Sequence, residues 1–163
     1  MKRAFTAGAL LTIAFAASAA EPRAIPTIDA AGLERELAAM RGQVVIVNLW
    51  ASWCSPCLKE IPMLMQLAAD LQTRGVRLVG VAMDDPGEGA EAARTLREQH
   101  FPGFRTWLTG EAPMDALVRR IDPAWNEVLP TTYLVGRDGQ VAQRIQGMRS
   151  YEEFRALVEP LAR

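Results

Sequence analysis

The chain of 163 residues contains two cysteines, Cys54 and Cys57, with two residues between them. When such a pair stands at the start of a helix, the two sulfurs can close a disulfide across the first helical turn. The unpaired backbone N–H groups and the dipole at a helix N-terminus favour the thiolate of the first cysteine. Cys57 stands four residues before Ile61, on the side of the helix expected to face the core. The spacing therefore predicts thiol–disulfide exchange, with Cys54 as the accessible nucleophile and Cys57 as the protected resolving thiol.

A structural disulfide and a Cu(I) site are two other interpretations of the same pair. A disulfide that closes so short a loop gains only about 2 kcal/mol in the chain-entropy model, which is little for a structural role. Two thiolates can hold Cu(I), but no histidine is near them in the sequence. With two cysteines and one histidine in the whole chain, a four-cysteine zinc site and a multi-histidine site are excluded. The expected site contains no metal.

Composition narrows the class of protein further. Half of the residues are hydrophobic, which is enough for a compact core and too many for a disordered chain. The chain has 18 Lys and Arg against 19 Asp and Glu, so its net charge is −1. A dedicated nucleic-acid binder usually carries an excess of basic residues. We therefore expect no nucleic-acid partner.

The cysteine pair stands where a predicted strand passes into a predicted helix. Residues 44–50 form a nearly continuous apolar run, which predicts a central strand buried on both faces. Helical spacing of apolar residues follows over about 54–72, and Pro62 is expected to kink this helix. Asp84, Asp85 and Glu88, which follow the next predicted strand, are expected to form a solvated loop.

The remaining pattern predicts an α/β fold around a mixed sheet. Asp29 can cap a first helix, and Ser150 with Glu153 forms a capping box for the last one. The dipeptide at residues 138–139, Asp-Gly, predicts a hairpin between its flanking strands. Further strands are predicted at residues 76–83, 104–108, 131–135 and 141–145, and further helices at 91–99 and 114–121.

The motif around the cysteines resembles the thioredoxin superfamily. Residues 47–57 read Val-Asn-Leu-Trp-Ala-Ser-Trp-Cys-Ser-Pro-Cys, and Glu60 and Pro62 follow. Residues 129–133, Leu-Pro-Thr-Thr-Tyr, continue the match, which extends from about Asp29 to the end of the chain. Within the superfamily the sequence is similar to the exported TlpA/ResA-like disulfide reductases. The resemblance implies a thioredoxin-like fold, in which helices flank a central mixed β-sheet on both faces.

The resemblance also implies that Leu129 and Pro130 dock a substrate. Pro130 falls at the cis-proline that the superfamily packs beside the two sulfurs. A proline there fixes the turn and supplies no N–H donor, so the backbone of Leu129 is left to pair with an extended substrate strand. Trp53, beside Cys54, is expected to form part of the docking surface.

Glu60 has two interpretations at this stage. By resemblance it matches an acid of the TlpA/ResA-like subfamily that lies near the site and assists proton transfer. It could equally be a solvated glutamate on the helix surface. Asn48 stands where cytoplasmic thioredoxins carry a buried Asp. Without that acid, Glu60 is the best remaining proton acceptor for Cys57.

The resemblance implies a periplasmic protein-disulfide reductase that needs no organic cofactor. Its partners would be disulfide-bearing exported proteins, with apocytochrome c and copper-site assembly proteins as candidates, and a membrane thiol reductant would restore the dithiol. The alternatives are a disulfide oxidase or isomerase, which usually has His inside the motif, and a non-enzymatic copper chaperone. A peroxidase is disfavoured, because Val47 and Ala51 stand where related peroxiredoxins carry Pro and Thr or Ser.

The first 20 residues have the features of a secretory signal peptide. Lys2 and Arg3 form a positive start, an apolar stretch follows to about Ala17, and no acid appears before Glu21. About 14 apolar residues fall short of the roughly 20 that a spanning helix needs. We therefore expect a signal peptide at residues 1–20 and a thioredoxin-like domain at 21–163.

N-terminal sequencing of the exported protein tests this expectation. Small residues at 17 and 19 predict cleavage before Ala20, and those at 18 and 20 predict cleavage before Glu21. The mature chain should therefore begin at one of these two residues. Recovery of intact Met1 in the membrane fraction would instead identify an uncleaved anchor.

Overall fold

A computed structural model describes residues 25–110 and 115–163 of the protein. The predicted signal peptide and its boundary lie outside the described residues. The strands are β1 Thr27–Ile28, β2 Val44–Trp50, β3 Val76–Ala82, β4 Thr106–Thr109, β5 Thr131–Val135 and β6 Val141–Gln146. The helices are α1 Ala30–Ala39, α2 Ser55–Asp70, α3 Glu88–His100, α4 Asp115–Arg119 and α5 Tyr151–Val158, and a 3-10 turn spans Gln72–Arg74.

The described strands form one mixed sheet in the order β1-β4-β3-β2-β5-β6. The first four are parallel to their neighbours, whereas β5 runs antiparallel to β2, and β6 antiparallel to β5. Because β2 and β3 are parallel, their carboxyl ends meet at the same edge of the sheet. Residues that follow these two strands are therefore neighbours in space, although a helix separates them in sequence.

Strand β2 is the centre of the core, and all seven of its residues are buried. Successive side chains point to opposite faces of a strand. Val45, Val47 and Leu49 pack on one face with Leu33 and Leu37 of α1. On the other face, the even-numbered residues of β2 pack with side chains of α2, α3 and α5. Burial on both faces, with helices on each side, confirms the α/β thioredoxin-like architecture.

Local capping signals correctly predict two helix starts. The Asp29 side chain accepts a 2.6 Å hydrogen bond from the backbone N–H of Gly32, which begins α1. At the other end of the chain, Ser150 and Glu153 form the reciprocal capping box of α5. These bonds satisfy backbone donors that have no partner inside a helix.

Several element boundaries differ from the sequence expectation. Helix α3 starts at Glu88, three residues before the predicted start, and α2 ends at Asp70 and passes into the 3-10 turn. Strand β1 was not predicted, because a two-residue strand shows no periodicity; its pairing with β4 defines it. The described part of the helix predicted at 114–121 covers Asp115–Arg119. Of the helices in the described part of the chain, none combines the length and apolar composition that a membrane-crossing helix needs.

Candidate active site

Cys54 and Cys57 form a disulfide at the N-terminus of α2, with their Cα atoms 5.3 Å apart. Cys54 is the N-cap residue of the helix, and its sulfur accepts a 3.3 Å hydrogen bond from the backbone N–H of Cys57. Cys54 is 4% exposed, whereas Cys57 is fully buried. The first cysteine thus faces the helix N–H groups, and it is also the one that a partner can reach more easily.

The carboxyl group of Glu60 lies in the interior, which contradicts its interpretation as a solvated helix glutamate. Glu60 is on α2, three residues beyond Cys57, and is fully buried. Asn48 Nδ2 donates 3.0 Å hydrogen bonds to Glu60 Oε2 and to Thr132 Oγ1. The Thr132 hydroxyl lies 3.4 Å from the same Glu60 oxygen, and the backbone N–H of Arg149 donates to Oε1 at 3.4 Å. Donors from β2, from β5 and from the segment just before α5 thus surround the carboxylate.

Burial raises the pKa of Glu60 from an ordinary value of 4.5 to about 7. Hydrogen bonds from the Arg149 N–H and from the Thr132 and Asn48 side chains oppose this rise without cancelling it. A carboxyl group with a pKa near neutrality can both accept and release a proton at working pH. Glu60 is three residues beyond Cys57 on the same helix, about one turn away.

The peptide bond between Leu129 and Pro130 is cis, as the resemblance implies. The Pro130 carbonyl accepts a 2.9 Å hydrogen bond from the backbone N–H of Gly147. Leu129 packs against the apolar cluster that includes Cys54 and Cys57. The structure therefore brings the proline loop, which is more than 70 residues away in sequence, to the cysteine pair.

Trp53 extends into solvent directly before Cys54, with 70% of its surface exposed. Among the other exposed apolar residues, Val128 and Met148 lie next to residues of the site in the sequence, and sequence reasoning missed them. Val128 precedes Leu129, and Met148 stands between Gly147, which bonds Pro130, and Arg149, which bonds Glu60. Their positions in the sequence could have identified them, because Val128 lies two residues before Pro130 and Met148 two residues before Ser150 of the capping box. Their exposure enlarges the candidate docking surface.

The expectation that Asp84 lies in a solvated loop is wrong. Asp84 follows β3 and is fully buried, whereas Asp85 next to it is exposed. Both carboxylate oxygens of Asp84 accept from the backbone N–H of Ser52, two residues before Cys54, and the Ser52 hydroxyl donates as well. The available signal was topological, because an acid directly after β3 meets the loop that follows β2.

No group of three or more His, Cys, Asp or Glu side chains within residues 25–110 and 115–163 is arranged to hold a metal ion. The chemistry that the described geometry offers directly is the opening and closing of the Cys54–Cys57 bond.

The fold and this disulfide define the chain as a thiol–disulfide oxidoreductase of the thioredoxin superfamily. More specifically, the chain belongs to the AhpC/TSA family, which it matches over residues 16–144.

Two similar proteins are named thiol-disulfide oxidoreductases. The thiol-disulfide oxidoreductase ResA of Geobacillus thermodenitrificans (strain NG80-2) is 29% identical over 133 residues, covering 82% of this chain and 71% of that protein. ResA of Bacillus cereus (strain ZK / E33L) is 26% identical over 133 residues, covering 82% and 72% respectively. The relatives thus match the domain that contains the cysteine pair over most of its length.

Solved structures show the same fold. A thiol:disulfide interchange protein of the thioredoxin family from Chlorobium tepidum TLS superposes with a TM-score of 0.66 at 23% identity, covering 88% of this chain and all of that one. A secreted disulfide oxidoreductase of Mycobacterium tuberculosis, homologous to E. coli DsbE, gives a TM-score of 0.60 at 22% identity, covering 76% and 86%.

The raised pKa of Glu60 makes stability depend on pH. Because folded Glu60 binds its proton more tightly than the unfolded chain does, the free energy of unfolding should fall as pH rises from 4.5 through about 7. The full effect of this one group is about 3 kcal/mol. We expect Glu60→Gln to remove the stability loss that Glu60 causes, so that the free energy of unfolding depends less on pH. Denaturant unfolding of the oxidised protein between pH 5 and pH 8 measures it.

The matched control is Glu152→Gln, because Glu152 is exposed on α5. This variant should keep the pH profile of the unaltered protein. Asp84, whose pKa burial also raises, is present in all three proteins and cancels in the comparison. If Glu60→Gln and the unaltered protein lose the same stability across this range, Glu60 does not titrate near neutrality.

Proposed function

We propose that this protein is a periplasmic thiol–disulfide oxidoreductase that mainly reduces disulfides of exported partner proteins. The observation that carries the proposal is the placement of Cys54 at the N-cap of α2, beside exposed Trp53, with Cys57 fully buried behind it. This arrangement leaves one reactive thiol for the partner and keeps the second for the resolving step. The proposed export agrees with the basic and apolar first 20 residues.

In the proposed reaction, the reduced Cys54 thiolate attacks one sulfur of the partner disulfide. The partner S–S bond breaks, one partner sulfur leaves as a thiolate, and the other becomes bonded to Cys54. Cys57 then attacks the Cys54 sulfur, which forms the Cys54–Cys57 bond and releases the second partner thiolate. The partner has gained two electrons, and the protein ends in the oxidised state.

Glu60 has a defined role in the second step. Cys57 must lose its proton to become a nucleophile, and its side chain is shielded from water. Glu60, one turn away on the same helix, accepts that proton through its interior carboxylate and passes it on as the partner thiolates become protonated. Its pKa of about 7 allows it to act in both directions.

The docking surface is proposed to consist of Trp53, Leu129 and Pro130, extended by Val128 and Met148. Within the described residues, the backbone N–H and C=O of Leu129 have no hydrogen-bond partner. Both groups can therefore pair with an extended segment of a partner, while the exposed apolar side chains contact its flanks. Because this recognition is based on backbone and apolar contacts, it suits several partners; apocytochrome c and copper-site assembly proteins are the candidates.

A membrane thiol reductant must return two electrons to the Cys54–Cys57 disulfide after each cycle, because the periplasm is kept oxidising. Thiol–disulfide exchange is favoured over peroxide reduction, since buried Ala51 offers no hydroxyl where related peroxiredoxins carry Thr or Ser, and Val47 stands in place of their Pro. An oxidase or isomerase and a copper chaperone remain the alternatives that the following experiments separate.

Substitution of each cysteine by serine tests the division of roles. Cys54→Ser removes the nucleophile and should abolish reduction of a disulfide-bearing substrate. Cys57→Ser keeps the first step and removes the second, so mixed disulfides with partner proteins should accumulate in cells. Non-reducing gels followed by mass spectrometry of the trapped species give the measurement and identify the partners.

Ser55→Ala is a suitable control, because Ser55 is exposed between the cysteines and makes no described side-chain bond. It should neither trap partners nor abolish reduction. Faster alkylation of Cys57 than of Cys54 in the reduced protein would reverse the assigned roles. Tight Cu(I) binding without any trapped partner would favour the chaperone.

The reduction potential tests the direction of electron flow. Ser55 and Pro56 place no imidazolium between the cysteines, so the reduced form gains less thiolate stabilisation than in a strong oxidant. We expect a potential below about −200 mV in a glutathione redox titration, nearer to a thioredoxin-like value of about −270 mV. A value near −120 mV, with rapid oxidation of a reduced substrate, would replace the reductase with an oxidase.

A further inference from the structure

A second buried carboxylate lies at the same edge of the sheet as the cysteine pair. Asp84 follows the carboxyl end of β3, next to the loop that runs from β2 to Cys54. The Met83 N–H donates a 2.7 Å hydrogen bond to the Trp50 carbonyl, which joins the two loops at their start. Further along the same two loops, the Ser52 N–H lies 3.0 Å from both oxygens of Asp84, and the Ser52 hydroxyl donates to Oδ1 at 2.5 Å.

Ser52 is the hydrogen-bond partner of Asp84 within the described part of the chain, and no described cation pairs with it. On its other side, α3 packs closely, because a Cβ atom on Gly89 would lie 2.9 Å from the Asp84 Cβ. Burial of a carboxylate without a cation is costly, and burial raises the pKa of Asp84. The hydrogen bonds of this buried carboxylate go to Ser52, a residue of the loop that leads to Cys54. The role of Asp84 is therefore connected with that loop.

Ser52 lies inside the turn that presents the nucleophile. The turn begins at Ala51 and is closed by a 3.1 Å hydrogen bond from the Cys54 N–H to the Ala51 carbonyl. The backbone conformation of Ser52 therefore contributes to the position of Cys54 at the N-terminus of α2. There the sulfur receives its hydrogen bond from the Cys57 N–H.

We propose that Asp84 is a positioning residue for the redox reaction, which holds Ser52 so that the reduced Cys54 thiolate stays at the N-terminus of α2. This inference rests on the proposed function in that Cys54 is the attacking thiol. Asp84 does not touch the reacting sulfurs; it acts through the backbone and hydroxyl of Ser52.

The need for this contact differs between the two redox states. In the oxidised protein, the disulfide itself ties Cys54 to Cys57 and so fixes the turn. Reduction removes that covalent tie, and the three contacts between Ser52 and Asp84 then restrain the nucleophile. Loss of Asp84 should therefore change the chemistry of reduced Cys54 more than it changes the oxidised fold.

The test compares Ser52→Ala, Asp84→Ala and Asp84→Asn with the unaltered protein, and uses Asp85→Asn as the matched control. Asp85 is exposed and bonds the Gly87 N–H. The readout is the rate of Cys54 alkylation against pH in the reduced protein, which gives the pKa of the thiol. Glu60 is present in every variant, so differences between the profiles come from the substitutions. Unfolding of the oxidised proteins measures stability separately.

We expect Asp84→Ala to raise the thiol pKa of Cys54 by about one and to slow thiolate reactions near pH 7 by up to tenfold. Asp84→Asn keeps a carbonyl oxygen for the Ser52 N–H and should restore most of the rate. Ser52→Ala keeps the Asp84 charge and loses one contact, so it should raise the pKa by a smaller amount. Asp85→Asn should match the unaltered protein.

Two results would overturn the proposal. If Asp84→Ala and Asp84→Asn lower the Cys54 pKa equally and Ser52→Ala has no effect, Asp84 acts through its charge and not through position. If the variants lose stability while the alkylation profile stays unchanged, Asp84 is a structural residue. Both readouts are independent of the direction of electron flow, so a potential near −120 mV would refute the reductase and leave this proposal standing.

Discussion

The hydrogen bonds that Asn48 donates to Glu60 and Thr132 connect the centre of the sheet to the helix that carries both cysteines. Strand β2 is buried on both faces, so Asn48 must place its amide donors against groups inside the protein. Glu60 and Thr132 supply the acceptors, from α2 and from β5. Together with the 3.4 Å contact between Thr132 and Glu60, these bonds link α2 to β2 and to β5, the strand that follows the proline loop.

Two interior carboxylates lie near the redox pair, and both are held by hydrogen-bond donors from distant parts of the chain. Glu60 lies behind Cys57 and receives side-chain and backbone donors from three parts of the chain. Asp84 lies beside the approach to Cys54 and receives its donors from Ser52. Arg149 adds a favourable charge interaction to the contacts of Glu60, whereas no described cation acts on Asp84. The two acids therefore differ in their surroundings, in agreement with the different roles proposed for them, proton exchange for Glu60 and positioning for Asp84.

The features that sequence predicts here are those that short-range patterns encode. The buried run of β2, the caps at Asp29 and Ser150, and the cysteine spacing each occupy a few consecutive residues, so their local pattern is enough to predict them. Burial of the acids depends on partners far along the chain: Arg149 is 89 residues from Glu60, and Ser52 is 32 residues from Asp84. An acid in a polar stretch has the same local pattern whether it is solvated or enclosed. Its state is decided by strand order, which brings the carboxyl ends of β2 and β3 together.

The exposure of Trp53 gives the molecule a built-in optical reporter. The chain has four tryptophans, and the other three, Trp50, Trp107 and Trp125, are at most 6% exposed. Indole fluorescence moves to shorter wavelength when water is removed from around the ring. A polypeptide bound over Cys54 at the proposed docking surface would cover Trp53 and leave the three interior indoles unchanged, so the long-wavelength part of the emission would report the free protein. Binding of a partner polypeptide could then be followed by tryptophan fluorescence, with no label attached to either protein.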